Sequence, residues 1–145
     1  MQVSFVPLEY LETVWPQIEG YLDGAARYSH GRFKVEDIKN GIETKPQQLW
    51  VAYEDDFIYG AVVTEVVAYP QMKALDTHFT GGIELPKWKT PMLEVLQKFA
   101  KDNGCKIIES YGRPGWEKVF TDDGFKKRFM FYELPVEKEA WDITT

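Results

Sequence analysis

The chain has 145 residues, about one domain by length, and its 44% apolar content is close to the globular average, which excludes a disordered or fibrous polypeptide. A net charge of −6 argues against a nucleic-acid binder, and no apolar run approaches the roughly 18 residues of a membrane span. The single cysteine, Cys105, cannot form an internal disulfide and has no cysteine or histidine neighbour for a zinc site. Met1–Phe5 carries no secretory pattern, so the expected compartment is a reducing cytoplasm.

The first strand is predicted over Gln2–Pro7, which alternates and is rich in Val and Phe. Leu11, Val14, Trp15, Ile18, Tyr21 and Leu22 then recur at helical spacing. Pro16 falls within this pattern, so the helix either begins near it or is kinked there. Gly24 and Ser29-His30-Gly31 mark a loop, with His30 read as a surface residue. A shorter helix follows over Val35–Glu43, ended by Lys45-Pro46. Leu49–Glu54 and Phe57–Tyr69 read as a hairpin about Asp55-Asp56. Lys73–Thr80 is a fourth strand, with Gly81-Gly82 either in the loop that follows or in a bulge of the strand.

Met92, Leu93, Val95, Leu96, Phe99 and Ala100 define the strongest helix. Thr90-Pro91 has the form of an N-cap followed by proline, and Asn103-Gly104 that of a left-handed stop. Lys106–Tyr111 is a fifth strand, Trp116–Asp122 a short helix and Phe125–Leu134 a last strand. The expected fold is one α/β domain over residues 1–136 with a tail over 137–145. A single mixed, twisted sheet of about six to seven strands carries helices on both faces, in the order β-α-α-β-β-β-α-β-α-β.

That order, with Gly115-Trp116-Glu117-Lys118-Val119-Phe120-Thr121-Asp122-Asp123-Gly124-Phe125, resembles the GNAT fold. This is the acyltransferase family that moves acetyl from acetyl-CoA to an amine. The resemblance covers nearly the whole chain in topology and residues 73–134 in motif. Leu49-Trp50-Val51-Ala52, Ala61-Val62-Val63-Thr64-Glu65, Gly81-Gly82, and Gly104-Cys105 through Gly112-Arg113-Pro114-Gly115-Trp116 also look like small GNAT-like proteins of tailed bacteriophages. The resemblance implies direct attack of the amine on a thioester, with a carboxylate or water as base. It implies a glycine-rich pyrophosphate loop before the main helix, here Gly81-Gly82-Ile83-Glu84-Leu85-Pro86-Lys87-Trp88-Lys89-Thr90-Pro91. Two departures stand out. Pro86 and Pro91 lack N–H donors and Glu84 repels phosphate. Phe120 occupies the position where many members carry the tyrosine that protonates the leaving thiolate.

Candidate catalytic residues are therefore Glu65, Asp76, His78 and Glu109, as carboxylate or imidazole bases, and Tyr111, as a substitute acid. Asp76 and His78 are two apart on a strand and share a face. Candidate acetyl-CoA contacts are Gly81, Gly82, Lys87, Lys89, Thr90 and Arg113; no metal ligands are expected. Trp116 reads as packing and Cys105 as a small apolar residue. Residues 1–82 hold 12 acids and 6 bases, whereas residues 83–145 hold 11 of each, so a cationic partner is drawn to the first half. The partner is an amine acceptor or a protein, with a homodimer left open and no membrane role. Two functions fit: an N-acetyltransferase with a degenerate cofactor motif, or a catalytically inactive GNAT-like phage protein that binds a host target or belongs to the virion.

Overall fold

A computed structural model describes residues 1–112 and 117–137. The chain divides into two compact units, Met1–Ser110 and Tyr111–Thr145. The first unit carries a five-stranded sheet in which β1 (Gln2–Phe5), β2 (Gln47–Glu54), β3 (Phe57–Ala68), β4 (Lys73–Gly82) and β5 (Cys105–Ser110) lie side by side in chain order. The first three pairings are antiparallel, and β4 with β5 is parallel. A parallel pair needs a long crossover, and helix α3 (Leu85–Asp102) supplies it.

Strand alternation assigns the two faces. Leu49, Val51, Ala61 and Val63 pack under α1 (Leu11–Arg27) and α2 (Val35–Thr44). Trp50, Ala52, Val62 and Leu75 pack under α3. Each helix lays one stripe on the sheet: Leu11, Trp15, Ile18, Leu22 and Ala26 from α1, and Trp88, Met92, Leu96 and Ala100 from α3. Helices therefore cover both faces. None among the described residues is long and apolar enough to cross a membrane.

Several expectations are corrected. Helix α1 begins at Leu11, after a short 3-10 turn over Leu8–Tyr10, and runs through Pro16. The buried Leu11 and Trp15 hold the first turns in place, although Pro16 cannot donate to the Glu12 carbonyl. Helix α3 begins at Leu85, so Thr90-Pro91 lies inside it. Pro86 meets the same first-turn preference that Pro91 was expected to meet. Trp88 needs this earlier turn, since its indole is buried and donates to the Ile83 carbonyl at 2.8 Å. Gly81 and Gly82 belong to β4, paired with Ala61 and Gly60.

In the second unit α4 spans Glu117–Asp122, and the expected last strand over residues 125–134 carries no regular structure. A strand exists only through a ladder partner, and no other strand is present in that unit among its described residues. Among the described residues the sheet thus has five strands, where six or seven were expected. Trp116 and the tail beyond residue 137 lie outside the described residues.

Glycines set the spacing at one end of β4. A Cβ on Gly81 would stand 2.1 Å from the Tyr21 carbonyl oxygen of α1, and one on Gly60 would stand 2.3 Å from the Trp88 ring. Backbone cannot swing aside as a side chain can. Gly81→Ala is therefore expected to lower stability by about 2–3 kcal/mol. Gly20→Ala, on an exposed face of α1 with nothing within 4 Å, should raise it by about 0.5–1 kcal/mol. Urea unfolding of both variants checks the pair, and equal effects would refute the packing account.

Candidate functional site

The middle of β4 is where the sheet becomes irregular. On its β3 side the register slips by one residue, since Val63 pairs with Phe79 while Thr64 pairs with Thr77. His78 is thus the extra residue of a β-bulge. On the other side the ladder with β5 stops at Thr77–Ser110. From His78 to Gly82, β4 has no strand partner on that edge among the described residues. Bulge and strand parting meet at one residue.

The polar side chains gather at the same place. Glu65 on β3 lies opposite Asp76, which lies opposite Glu109 on β5. His78 Nε2 is 3.0 Å from Glu65 Oε1, and His78 Nδ1 is 3.5 Å from Asp76 Oδ1. The Gln47 amide donates to the same Glu65 oxygen at 3.1 Å. The Tyr69 hydroxyl donates to Glu109 Oε1 at 2.5 Å, and the Thr77 hydroxyl to the Glu109 carbonyl at 3.1 Å. The His78 ring lies 6.2 Å from that of Phe79, which meets Phe33 edge to face at 5.1 Å. Among the described residues no group of three or more His, Cys, Asp and Glu side chains is arranged to hold a metal ion.

The two carboxyls beside His78 are tuned in opposite directions. Burial pushes Glu65 up, but the hydrogen bonds from His78 and Gln47 outweigh it and hold the group below its usual value. Asp76 is 8% exposed, and its Oδ1 has no hydrogen-bond partner. Burial raises its pKa; the His78 charge opposes the rise, and Glu109 and Glu65 add to it. Glu65 is thus a stable anion that orients the imidazole. With the ring proton on Nε2, Nδ1 is left facing Asp76 Oδ1.

The expected site residues fall in both units. Glu65, Asp76, His78 and Glu109 come together on one face of the sheet. Tyr111 belongs to the second unit, where its ring meets Phe131 edge-on at 6.4 Å. Gln47 and Tyr69 were not anticipated. Both are visible only once strand register is known, since Gln47 is the cross-strand partner of Glu65.

The expected acetyl-CoA contacts are spread along the end of β4 and the start of α3. The space a Cβ would need at Gly81 is filled by Tyr21 backbone, and at Gly82 (φ +152°) by the Tyr59 carbonyl. Helix α3 opens on Glu84 in the left-handed region (φ 52°). Lys87 Nζ is 3.0 Å from Glu84 Oε1 and lies over the Tyr59 ring, and the Lys87 backbone N–H donates to the Glu84 carbonyl. Thr90 and Lys89 sit within α3, and Arg113 lies outside the described residues. The glycines are thus occupied by packing and do not form an open phosphate cradle. Beyond Thr77, by contrast, one edge of β4 has no ladder partner among the described residues.

The pKa directions have opposite consequences for stability. Asp76, raised in the folded state, favours folding below its unfolded value of about 3.9 and withdraws that support as pH rises through its folded value. Glu65, lowered in the folded state, supports folding above about pH 4.3 and loses that support as pH falls. Asp76→Asn is therefore expected to melt higher than wild type near neutral pH, with the gain gone by about pH 3.5. Melting curves across that range check it, and a gain independent of pH would refute the titration account.

No protein-family model and no curated protein matches the chain by sequence. Solved structures do match it in shape. A putative acetyl transferase from Pyrococcus furiosus is similar with a TM-score of 0.69 and 17% identity, over 93% of this chain and 100% of that one. The ribosomal-protein-alanine N-acetyltransferase of Brucella melitensis biovar Abortus is similar with a TM-score of 0.68 and 11% identity, over 93% of this chain and 99% of that one. An aminoglycoside N-acetyltransferase in complex with CoA gives a TM-score of 0.65 and 14% identity, over 92% of this chain and 93% of that one. With its mixed sheet, the parting of β4 from β5 and the helices on both faces, the chain has the GNAT acetyltransferase fold.

Proposed function

We propose that the chain is an N-acetyltransferase that uses acetyl-CoA and acts on an amine by direct attack. The observation that carries this reading is the meeting, at His78, of the bulge, the unpartnered edge of β4 and the carboxylate–imidazole cluster. When bound, acetyl-CoA would supply the activated acetyl group; the C–N bond would form as the C–S bond breaks, with the N–H proton lost by the attacking nitrogen passing to the leaving thiolate. The β4 edge beyond Thr77 would hold the acyl carbonyl through backbone N–H donors. Lys87, Lys89 and the start of α3 face the anionic end, with Glu84 offsetting Lys87. An amine reaches the site as an ammonium and must lose a proton before it can attack. His78 takes that proton, Glu65 holds the ring in place, and Asp76 stabilises the charge formed.

Two features favour the other reading, an inactive GNAT-like protein of phage origin that binds a partner in the host or the virion. Gly81 and Gly82 are consumed by packing, and Phe120 carries no proton to give. A melting experiment separates the two. Acetyl-CoA or free CoA at about a hundred times its dissociation constant contributes roughly 2.7 kcal/mol, which for this size is a rise of several degrees. His78→Ala is expected to keep that rise while lowering kcat/KM about 100-fold. A melting point unmoved by millimolar acetyl-CoA would sink the transferase reading in favour of the binding protein.

A further inference from the structure

The Glu65 carboxylate is held from two sides. His78 Nε2 lies 3.0 Å from its Oε1, and the Gln47 amide donates to the same oxygen at 3.1 Å. A carboxylate only accepts hydrogen bonds, so Gln47 must turn its NH2 end to Glu65 and its carbonyl end away. The carbonyl end rests on Gly41, inside α2. A Cβ at Gly41 would stand 2.9 Å from Gln47 Oε1 and 3.5 Å from Gln47 Cδ and Nε2. Gly41 is buried, and its backbone is helical and not left-handed, so no turn calls for glycine there. A glycine inside a helix weakens it. What this glycine provides is the space for the Gln47 amide.

His78 depends on its side-chain partners for its direction. It is the extra residue of the bulge on the β3 side, and the ladder with β5 stops one residue before it. Glu65 supplies the hydrogen bond to its ring, and Gln47 fixes the oxygen that accepts it. The same amide bears on the charge of Glu65. Burial works to raise the Glu65 pKa, and the bonds from His78 and Gln47 hold it low. The other charged groups beside Glu65 are Lys45, which also lowers it, and Asp76, directly opposite on β4. A helix, two strands and the imidazole are thus joined through one amide.

Resting on the transferase reading above, we propose that Gln47, seated against Gly41, is a positioning residue that fixes Glu65 and, through it, the imidazole that takes the proton of the acceptor. Two variants of the full chain break the contact in different ways. Gln47→Met keeps the length of the side chain and removes the donor. Gly41→Ala keeps Gln47 and fills its seat. Alanine suits the helix better, and the group it displaces is the free end of a side chain, so this variant is expected to melt no lower than wild type. Two NMR readings need no substrate. The Glu65 carboxyl, identified by its absence in Glu65→Gln, should titrate at higher pH in both variants. The His78 Nε2–H proton should exchange with water about five-fold faster, the factor that one ordinary hydrogen bond represents. His30, the other histidine, is told apart by His30→Asn. Gln97→Met, on the exposed side of α3, should change neither reading. Both shifts in both variants support the assignment. A Glu65 titration or a His78 exchange rate that stays at its wild-type value in either variant, or the same shifts in Gln97→Met, would overturn it. Thiol release from acetyl-CoA is followed separately with butylamine, ethanolamine and lysine. Where wild type releases thiol, both variants should do so about ten-fold more slowly, and an unchanged rate would overturn the proposal. No release by wild type with any of these amines would reject the transferase reading alone, and the role of Gln47 in holding Glu65 and His78 then stands or falls on the spectra.

Discussion

Everything at the site depends on the requirement that β4 pair antiparallel with β3 and parallel with β5. The two ladders have different hydrogen-bond geometry, and β4 satisfies both only over Lys73–Thr77. At His78 it takes an extra residue on one side and loses its partner on the other. A bulge increases local twist, and twist carries two neighbouring strands apart. Past this point that edge of β4 has no ladder partner among the described residues. Had the β3–β4 hairpin kept its original register, Asp76 and Glu65 would still face each other. The next pair, however, would place His78 opposite Val63, within the apolar packing under α1.

The far end of β4 is held by close packing. Gly81 admits the Tyr21 carbonyl, Gly60 admits the Trp88 ring, and Tyr21 donates its hydroxyl to the Ile58 carbonyl at 2.8 Å. These contacts bring α1 and α3 onto opposite faces of the same two strands. They also explain why a glycine pair in the right stretch of sequence need not be a phosphate loop. A glycine is required wherever backbone approaches closely, and another part of the same protein satisfies that requirement as readily as a ligand does. The start of α3 was legible as a turn followed by proline, but two prolines offered two starts. Only the burial of Trp88 decides between them.

What could be read from the chain follows from what is local. The helical stripes of α1, α2 and α3, the hairpin at Asp55-Asp56 and the Gly104 stop (φ +74°) are all written in spacing and turn chemistry. Register is not. The turn alone would set Gln47 opposite Thr64; a bulge at Ala52/Tyr53 moves it opposite Glu65, where its amide helps to fix the carboxylate. Asp76 and His78 could be placed on one face by period two, and Glu65 and Glu109 could be named as carboxylates on strands. Their assembly into one cluster needed the order of the strands. The aromatic run Phe129, Phe131, Tyr132 reads as a strand by composition, yet composition supplies no edge for it to pair with.

On the opposite face of β3 a neighbouring polar group is treated differently. Thr64 is fully buried, accepts the Trp50 indole N–H at 2.9 Å and donates to Gln48 at 2.8 Å, so its hydroxyl is satisfied in both roles. One residue along the strand, Glu65 begins a row whose middle member, Asp76, keeps an acceptor without a hydrogen-bond donor. The fold can therefore satisfy buried polar groups at this depth, and it does so where only packing is at stake. The unsatisfied oxygen occurs where the strands part and imidazole and carboxylates converge. A mismatch of that kind disfavours the folded state, because a buried acceptor left without a donor keeps its desolvation cost.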